Sequence, residues 1–348
     1  MIISRTPFRI SFFGGGTDYP AWFRENGGSV LTTSIDKYCY ITCRYLPPFF
    51  DYNSRILYSK VELVKDNRDI EHAAVREILR HLDMPEGVEI HHDGDLPART
   101  GLGSSSSFAV GLLHALHALK HRMPDKMDLA REAIHIEREV LKENVGCQDQ
   151  VISAMGGFQR IDFDRDDSFH VSPVTVGRER TQELHDHLLL YFTGFSRIAS
   201  VIVQEQLQRI GETKPQLTRM GEMVDEAVAM LTGTGDLSDF GRLLDESWKL
   251  KRTLSSKISS PLIDEMYEKA KSLGALGGKL LGAGGGGFLL LYAKPEKHAA
   301  IKDAFKDYLR VPFSFENEGS RIILYQPDEY TPDPKGRRPA ADAGSVQR

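Results

Sequence analysis

Residues 95–120 read DLPARTGLGSSSSFAVGLLHALHALK, a glycine-serine loop that runs straight into an apolar helical pattern. Phe108, Leu112, Ala115 and Leu119 recur at spacings of four, three and four, which lays an apolar stripe along one helix face. Gly101 and Gly103 supply backbone freedom for a tight approach, and Ser104 or Ser105 suits the N-cap. The first N–H groups of a helix lack intrahelical partners and carry partial positive charge. The run Gly101, Leu102, Gly103, Ser104, Ser105, Ser106 is therefore a candidate anion site, where serine hydroxyls can also reach a phosphate or a magnesium ion. A capped, buried helix after a flexible loop is the structural alternative. No Gly-Lys-Ser/Thr follows the glycines and no G-x-G-x-x-G follows a first strand, which argues against a P-loop or dinucleotide-binding fold.

Upstream, residues 2–13 read as a strand that ends in Gly14-Gly15-Gly16-Thr17-Asp18. Three successive glycines imply positive φ or close approach to a ligand, and a hairpin-like reversal brings Arg9 and Asp18 toward one pocket. A glycine-rich hairpin with solvent-exposed charges is the alternative. Strands are expected at 28–35, 37–45, 55–64 and 87–92, and a helix over 69–82.

Downstream, Asp125 is placed to cap a helix reaching about Glu143, whose stripe comprises Leu129, Ala133, Ile136, Val140 and Leu141. Glu137 falls within that stripe. A carboxylate on a buried face is costly unless a cation or hydrogen-bond donors meet it, so either a metal binds there or Glu137 sits at the stripe edge and reaches water. Asp149 opens the next helix, where the dipole stabilises its anion and leaves it free to accept a proton or simply to cap. The charged stretch 161–180 suggests an edge strand and domain junction, followed by a strand at 187–194. Helices are expected at 198–211, 215–231, 236–251 and across SPLIDEMYEKAKSLGAL. A strand-like KLLG then meets four glycines and re-emerges as FLLLYA, followed by a helix over 297–310 and a last strand at 320–326. The tail from Thr331 has a disordered composition.

A chain of 348 residues suffices for two domains, and its 41% hydrophobic and 27% charged residues suit a soluble protein. Net charge of −5 argues against a nucleic-acid or membrane-surface binder, while leaving room for a local basic pocket. Cys39, Cys43 and Cys147 lack C-x-x-C spacing, so neither a disulfide framework nor a zinc site is expected. With no leader pattern after Met1 and no long apolar run, the expected location is the cytoplasm.

PFRISFFGGGTD, LPARTGLGSSSS and KLLGAGGGGF together, in this order, resemble the GHMP kinase superfamily over residues 1–327. The TPFRISFFGGGTDYP opening, the GCQDQ segment and the GAGGGGF ending are most similar to its D-glycero-D-manno-heptose 7-phosphate kinase branch. The resemblance implies an α+β chain with a ribosomal-protein-S5-like N-terminal domain (1–180), a ferredoxin-like C-terminal domain (181–330) and a tail (331–348), the active site lying between the domains. It implies ATP phosphates on Gly101–Ser106, magnesium held by Ser105 and Glu137, and Asp149 as the catalytic carboxylate with Arg9 beside it. Gly15, Gly16, Thr17, Asp18, Gln148, Gly284 and Gly285 are implied on the sugar side.

The implied reaction is transfer of the ATP γ-phosphate to the anomeric hydroxyl of a heptose 7-phosphate, in the making of nucleotide-activated heptose and surface polysaccharide. Kinases of fucose, mannose or galactose and a non-catalytic sugar and ATP sensor are the competing readings. Galactokinases carry Glu-His where this chain has Gly15-Gly16, and mevalonate-type kinases carry Lys at Arg9. Arg197, Lys249, Lys251 and Lys279 are the candidates for a distal phosphate pocket. No oligomeric state follows from the sequence.

Overall fold

The computed structural model describes residues 1–47, 49–84, 87–98, 100–194 and 199–327. Arg197 and the tail from Thr331 lie outside the described residues. Two strands, β1 (Ile2–Phe13) and β2 (Gly28–Tyr45), form the antiparallel pair on which the larger sheet is built. The strands expected at 28–35 and 37–45 are thus one strand, whose register with β1 slips between Pro7 and Phe8. Proline lacks the N–H that an unbroken ladder would use. Between β1 and β2 the glycine turn leads into a short helix, α1 (Pro20–Asn26), which opens on proline.

The strand expected over 55–64 is a hairpin, β3 (Ser54–Leu57) and β4 (Val61–Val64), closed by the Tyr58 N–H on the Lys60 carbonyl at 2.9 Å. The helix expected over 69–82 is a 3-10 turn at Asn67–Asp69 followed by α2 (Ala73–His81). The break comes from two competing caps. Asp66 accepts from the Arg68 N–H, and the His72 ring accepts from the Val75 N–H. β5 (Val88–Gly94) then pairs with β2 and β3.

Helix α3 (Ser104–Leu119) runs against β1 and β2. It is buried on every side and not along one stripe, because Val110, Leu113 and Leu116 are as enclosed as Leu112 and Ala115. Its two buried imidazoles have partners: His114 with the Ser320 hydroxyl at 2.9 Å and His117 with Glu132 at 2.7 Å. Packed beside it are α4 (Lys126–His135) and α5 (Gln148–Met155), with β6 (Phe158–Phe163) and β7 (Phe169–Pro173) extending the sheet from β2.

After α6 (Arg178–Asp186) come β8 (Leu188–Phe192), α7 (Ala199–Gln208), α8 (Lys214–Thr232), α9 (Ser238–Leu254), α10 (Pro261–Ser272), β9 (Ala275–Leu280) and β10 (Phe288–Ala293). The helix expected over 297–310 is a 3-10 turn, α11 (His298–Ala304) and β11 (Leu309–Arg310). The second sheet has the order β11-β8-β10-β9, and FLLLYA, buried along its whole length, is an inner strand. Finally β12 (Phe315–Glu316) and β13 (Arg321–Tyr325) return to pair with β2 and β1, so the first sheet is closed by residues from the far end of the chain.

Aromatic packing joins the two sheets near the glycine turn. Phe240 of α9 sits edge-on to Phe12 and Phe13, with ring centroids 5.5 and 5.1 Å away. Among the described residues no helix is long and apolar enough to cross a membrane.

Candidate active site

Burial and pairing single out one cluster where β1, α3, α5 and the loop after β9 meet. Arg9 is 4% exposed and forms a fork with Asp149, Nε donating to Oδ1 and a terminal nitrogen to Oδ2, both at 2.7 Å. Its other terminal nitrogen donates to the Gly101 carbonyl at 2.7 Å, and its own N–H meets the Leu102 carbonyl at 3.1 Å. One arginine therefore fixes both the carboxylate at the start of α5 and the loop at the start of α3. Gly101 and Gly103 have φ of +85° and +78°, and a Cβ on Gly103 would lie 3.3 Å from Asp149 Oδ2. The loop passes over the ion pair at a distance that only glycine permits comfortably.

Gly103, and not Ser104 or Ser105, is the N-cap of α3, and no side chain caps that end. The serines are drawn elsewhere. Ser105 Oγ donates to Glu137 Oε1 at 3.1 Å, Ser106 Oγ to Oε2 at 2.7 Å, and the Gln150 amide also donates to Oε2. Glu137 is 1% exposed and faces only neutral donors. Burial, partly offset by these bonds, pushes its carboxyl up to about 7. The helix expected to carry Glu137 stops at His135 and continues as a π-turn over Ile136–Val140, closed by the Leu141 N–H on the Ile136 carbonyl at 2.9 Å. Glu137 keeps the buried face it shares with Ala133, as the 3.6-residue spacing implies, whereas Val140 and Leu141, within and after the widened turn, are only half-buried.

Magnesium prefers oxygen ligands, carboxylates foremost, completed by phosphate oxygens. A buried carboxylate with no cationic partner among the described residues, beside the Ser105 hydroxyl at the start of α3, fits that requirement. Ser105 and Glu137 are the residues that would hold the ion.

The glycine turn after β1 divides into structural and open positions. Thr17 is taken up by the fold: its hydroxyl donates toward the Gly14 and Ser29 carbonyls at 2.8 and 2.9 Å and accepts from the Ser29 N–H at 3.0 Å. Its single proton is thereby committed to the fold, and the residue is buried. Asp18, 2% exposed, accepts from the Gly16 N–H at 3.0 Å and the Gln148 side-chain amide at 3.1 Å. Burial raises its pKa, the Gly16 N–H opposes the rise and Asp149 adds to it. A Cβ on Gly146 would overlap the Asp18 carboxylate, so Gly146 is the unpredicted residue that lets Asp18 approach α5. The clue was available in the G-C-Q-D run.

The loop after β9 packs backbone against backbone on the loop before α3. Side chains on Gly101, Gly282 or Gly287 would strike the Leu281, Gly101 and Thr100 backbones respectively. Gly284 and Gly285 instead lie against Ile258, whose carbonyl accepts from the Gly285 N–H at 2.8 Å. Lys251 donates to the Leu280 and Gly282 carbonyls, and Lys279 to the Phe12 carbonyl at 2.7 Å. Both lysines are buried against backbone and are not arranged as a distal phosphate pocket. Lys249 lies outside on α9, paired with Asp245 at 2.7 Å. Burial, reinforced by Arg9, brings Lys279 down to about 7.

The arrangement brings together a glycine loop at a helix start, a buried carboxylate with serine hydroxyls, and an Arg-fixed aspartate. Comparison with known proteins agrees with it. The GHMP kinases N terminal domain matches residues 69–157 and the GHMP kinases C terminal domain residues 207–311. The chain is 30% identical to the D-glycero-alpha-D-manno-heptose 7-phosphate kinase of Campylobacter jejuni over 91% of its own length and 97% of that protein's. A D-glycero-D-manno-heptose 1-phosphate kinase from Bacteroides thetaiotaomicron shares the fold with a TM-score of 0.74 at 24% identity, covering 93% of this chain and 99% of that one. A further structure from C. jejuni superposes with a TM-score of 0.67 at 26% identity, covering 92% of this chain and 98% of that one. This chain belongs to the GHMP kinases, enzymes that use ATP, and is itself a kinase.

Proposed function

We propose that the chain transfers the γ-phosphate of ATP to the anomeric C1 hydroxyl of D-glycero-D-manno-heptose 7-phosphate, giving the 1,7-bisphosphate for nucleotide-activated heptose and surface polysaccharide synthesis. The observation that carries the kinase chemistry is the Arg9 fork on Asp149, tied by the same guanidinium to the phosphate loop. Support for the phosphorylated heptose comes from the 30% identical relative and the glycine turn, not from a cationic pocket.

The sugar oxygen forms a bond to the γ-phosphorus as the bond from that phosphorus to the β,γ-bridging oxygen breaks, and ADP leaves. Asp149 receives the hydroxyl proton. An anomeric hydroxyl gives up that proton more readily than an ordinary alcohol, because it is more acidic. Magnesium, when bound, neutralises charge on the phosphates. The transition state is loose, so the chain's contribution is mainly alignment: Asp149 is set by Arg9, the loop by Arg9 and the packed glycines, and the acceptor by Asp18 and Gln148.

Asp149→Asn tests the reading. The expected outcome is a fall in kcat of roughly 10²–10⁴-fold with ATP affinity and folding retained. A variant that turns over heptose 7-phosphate at the wild-type rate would remove Asp149 from the chemistry.

A further inference from the structure

The buried face of α9 includes Leu244, Ser247, Trp248 and Leu254, and Lys251 falls among them at 8% exposed. Among the described residues its amine has no carboxylate partner. Burial first, and then Lys279 and Arg9, hold its pKa well below the ordinary lysine range, with Asp18 opposing. Burying an unpaired cation is costly, and a methionine of similar length would fill the same stripe without that cost. Packing of the helix therefore gives no reason for a lysine here.

What the lysine does touch is the backbone at and after the end of β9. Its Nζ donates to the Leu280 carbonyl at 2.9 Å and to the Gly282 carbonyl two residues further on. Four of the five residues after Gly282 are glycines, so this loop has little stiffness of its own and needs a tether. Gly282, with φ of +70°, is pressed on the loop before α3: a Cβ there would lie 2.4 Å from the Gly101 Cα. From the other side, a Cβ on Gly101 would lie 2.4 Å from the Leu281 carbonyl oxygen. No side chain separates the two backbones, so a shift of Gly282 is passed directly to Gly101. Gly101 is also the residue whose carbonyl holds the third arm of Arg9.

We infer that Lys251 is a positioning residue for the nucleotide: from α9 it holds the backbone of residues 280–282 against Gly101 and so sets the loop Gly101–Ser106 in place for the ATP phosphates. The inference rests on the reading of that loop as the phosphate site. Lys251 acts through backbone alone. Its two bonds fix two carbonyls, the carbonyls fix the loop after β9, and that loop backs the one before α3.

Lys251→Met removes both donor bonds and keeps the bulk, while Lys251→Gln keeps a shorter donor. Displacement of a fluorescent ATP analogue by ATP, ADP and adenosine is measured for the wild type and both variants, beside steady-state kinetics. In the Met variant the affinities for ATP and ADP are expected to fall roughly tenfold, with adenosine affinity and KM for the sugar within about twofold of the wild type. The Gln variant should lose less. An unchanged ATP affinity, or an equal loss for ATP and adenosine, overturns the inference, because a lysine that only supports the core moves every ligand alike or none. If the Met variant does not fold, the Gln variant decides: a fall of roughly threefold in ATP affinity relative to adenosine supports the inference, and an unchanged ratio overturns it. A wild type that binds adenosine as tightly as ATP overturns the phosphate-loop reading itself, an outcome distinct from failure of the lysine.

Discussion

Arg9 and Asp149, 140 residues apart in sequence, are locked by two parallel hydrogen bonds of 2.7 Å, and the third arm of the same guanidinium reaches the Gly101 carbonyl. A planar fork does this, whereas an ammonium is a single point charge. Arg9→Lys therefore keeps the charge and loses the alignment. Its kcat is expected to fall by roughly 10²-fold, with a smaller change in KM for ATP. Steady-state kinetics at saturating ATP check this, and an unimpaired kcat would show that charge alone suffices.

Glu137→Gln separates a binding role from a structural one. The wild-type carboxylate is buried among neutral donors, so the substitution removes a costly charge and is expected to leave the metal-free protein as stable or more stable by about 1 kcal/mol. Activity at any magnesium concentration should nonetheless collapse. Thermal unfolding without metal, read beside magnesium-dependent rates, makes the comparison. A variant that unfolds early and keeps its activity would mark Glu137 as structural only.

The glycine turn yields a contrast in stability. Gly14→Ala meets positive φ and the Ser29 carbonyl together and should lose several kcal/mol, while Gly15→Ala should stay within about 0.5 kcal/mol of the wild type. Denaturant midpoints measure both. Equal losses at the two positions would contradict the ordinary 3.7 Å contacts that a Cβ at Gly15 would make.

Lys279 gives stability a slope with pH. Its folded pKa is depressed to about 7 by burial and then by Arg9, against an unfolded value of 10.5. Between those values the unfolded chain holds a proton that the folded chain does not, so stability rises as pH rises through this window, by up to about 1.4 kcal/mol per unit from this group. Below about 7 both states hold the proton and the contribution is flat. Lys279→Met should lose that slope in urea titrations at pH 7.5 to 9.5 (~2 units inside the window). An unchanged slope would mean that the lysine stays charged when folded.

What sequence reasoning reached depended on whether the deciding force was local. The glycine-serine loop before α3 and the oddity of Glu137 on an apolar face were legible because glycine runs and helical spacing are local signals. The π-turn at Ile136–Val140 was not, since one widened turn leaves no mark on the apolar spacing of the helix before it. The Thr17 hydroxyl is engaged by Ser29 of the next strand, a pairing that no local pattern reports. The return of β13 to β1 pairs residues more than 300 positions apart, and no periodicity reports such a partner.

The central claim is phosphorylation of an anomeric hydroxyl on a sugar that already carries a phosphate. Phosphorus NMR of the protein with ATP, magnesium and D-glycero-D-manno-heptose 7-phosphate, with galactose, fucose and mannose in parallel, tests it directly. A new anomeric phosphate signal growing with ADP, far faster for the heptose phosphate than for the neutral sugars, is the predicted result. A signal from a neutral sugar alone, or ATP left intact with every acceptor, would contradict it.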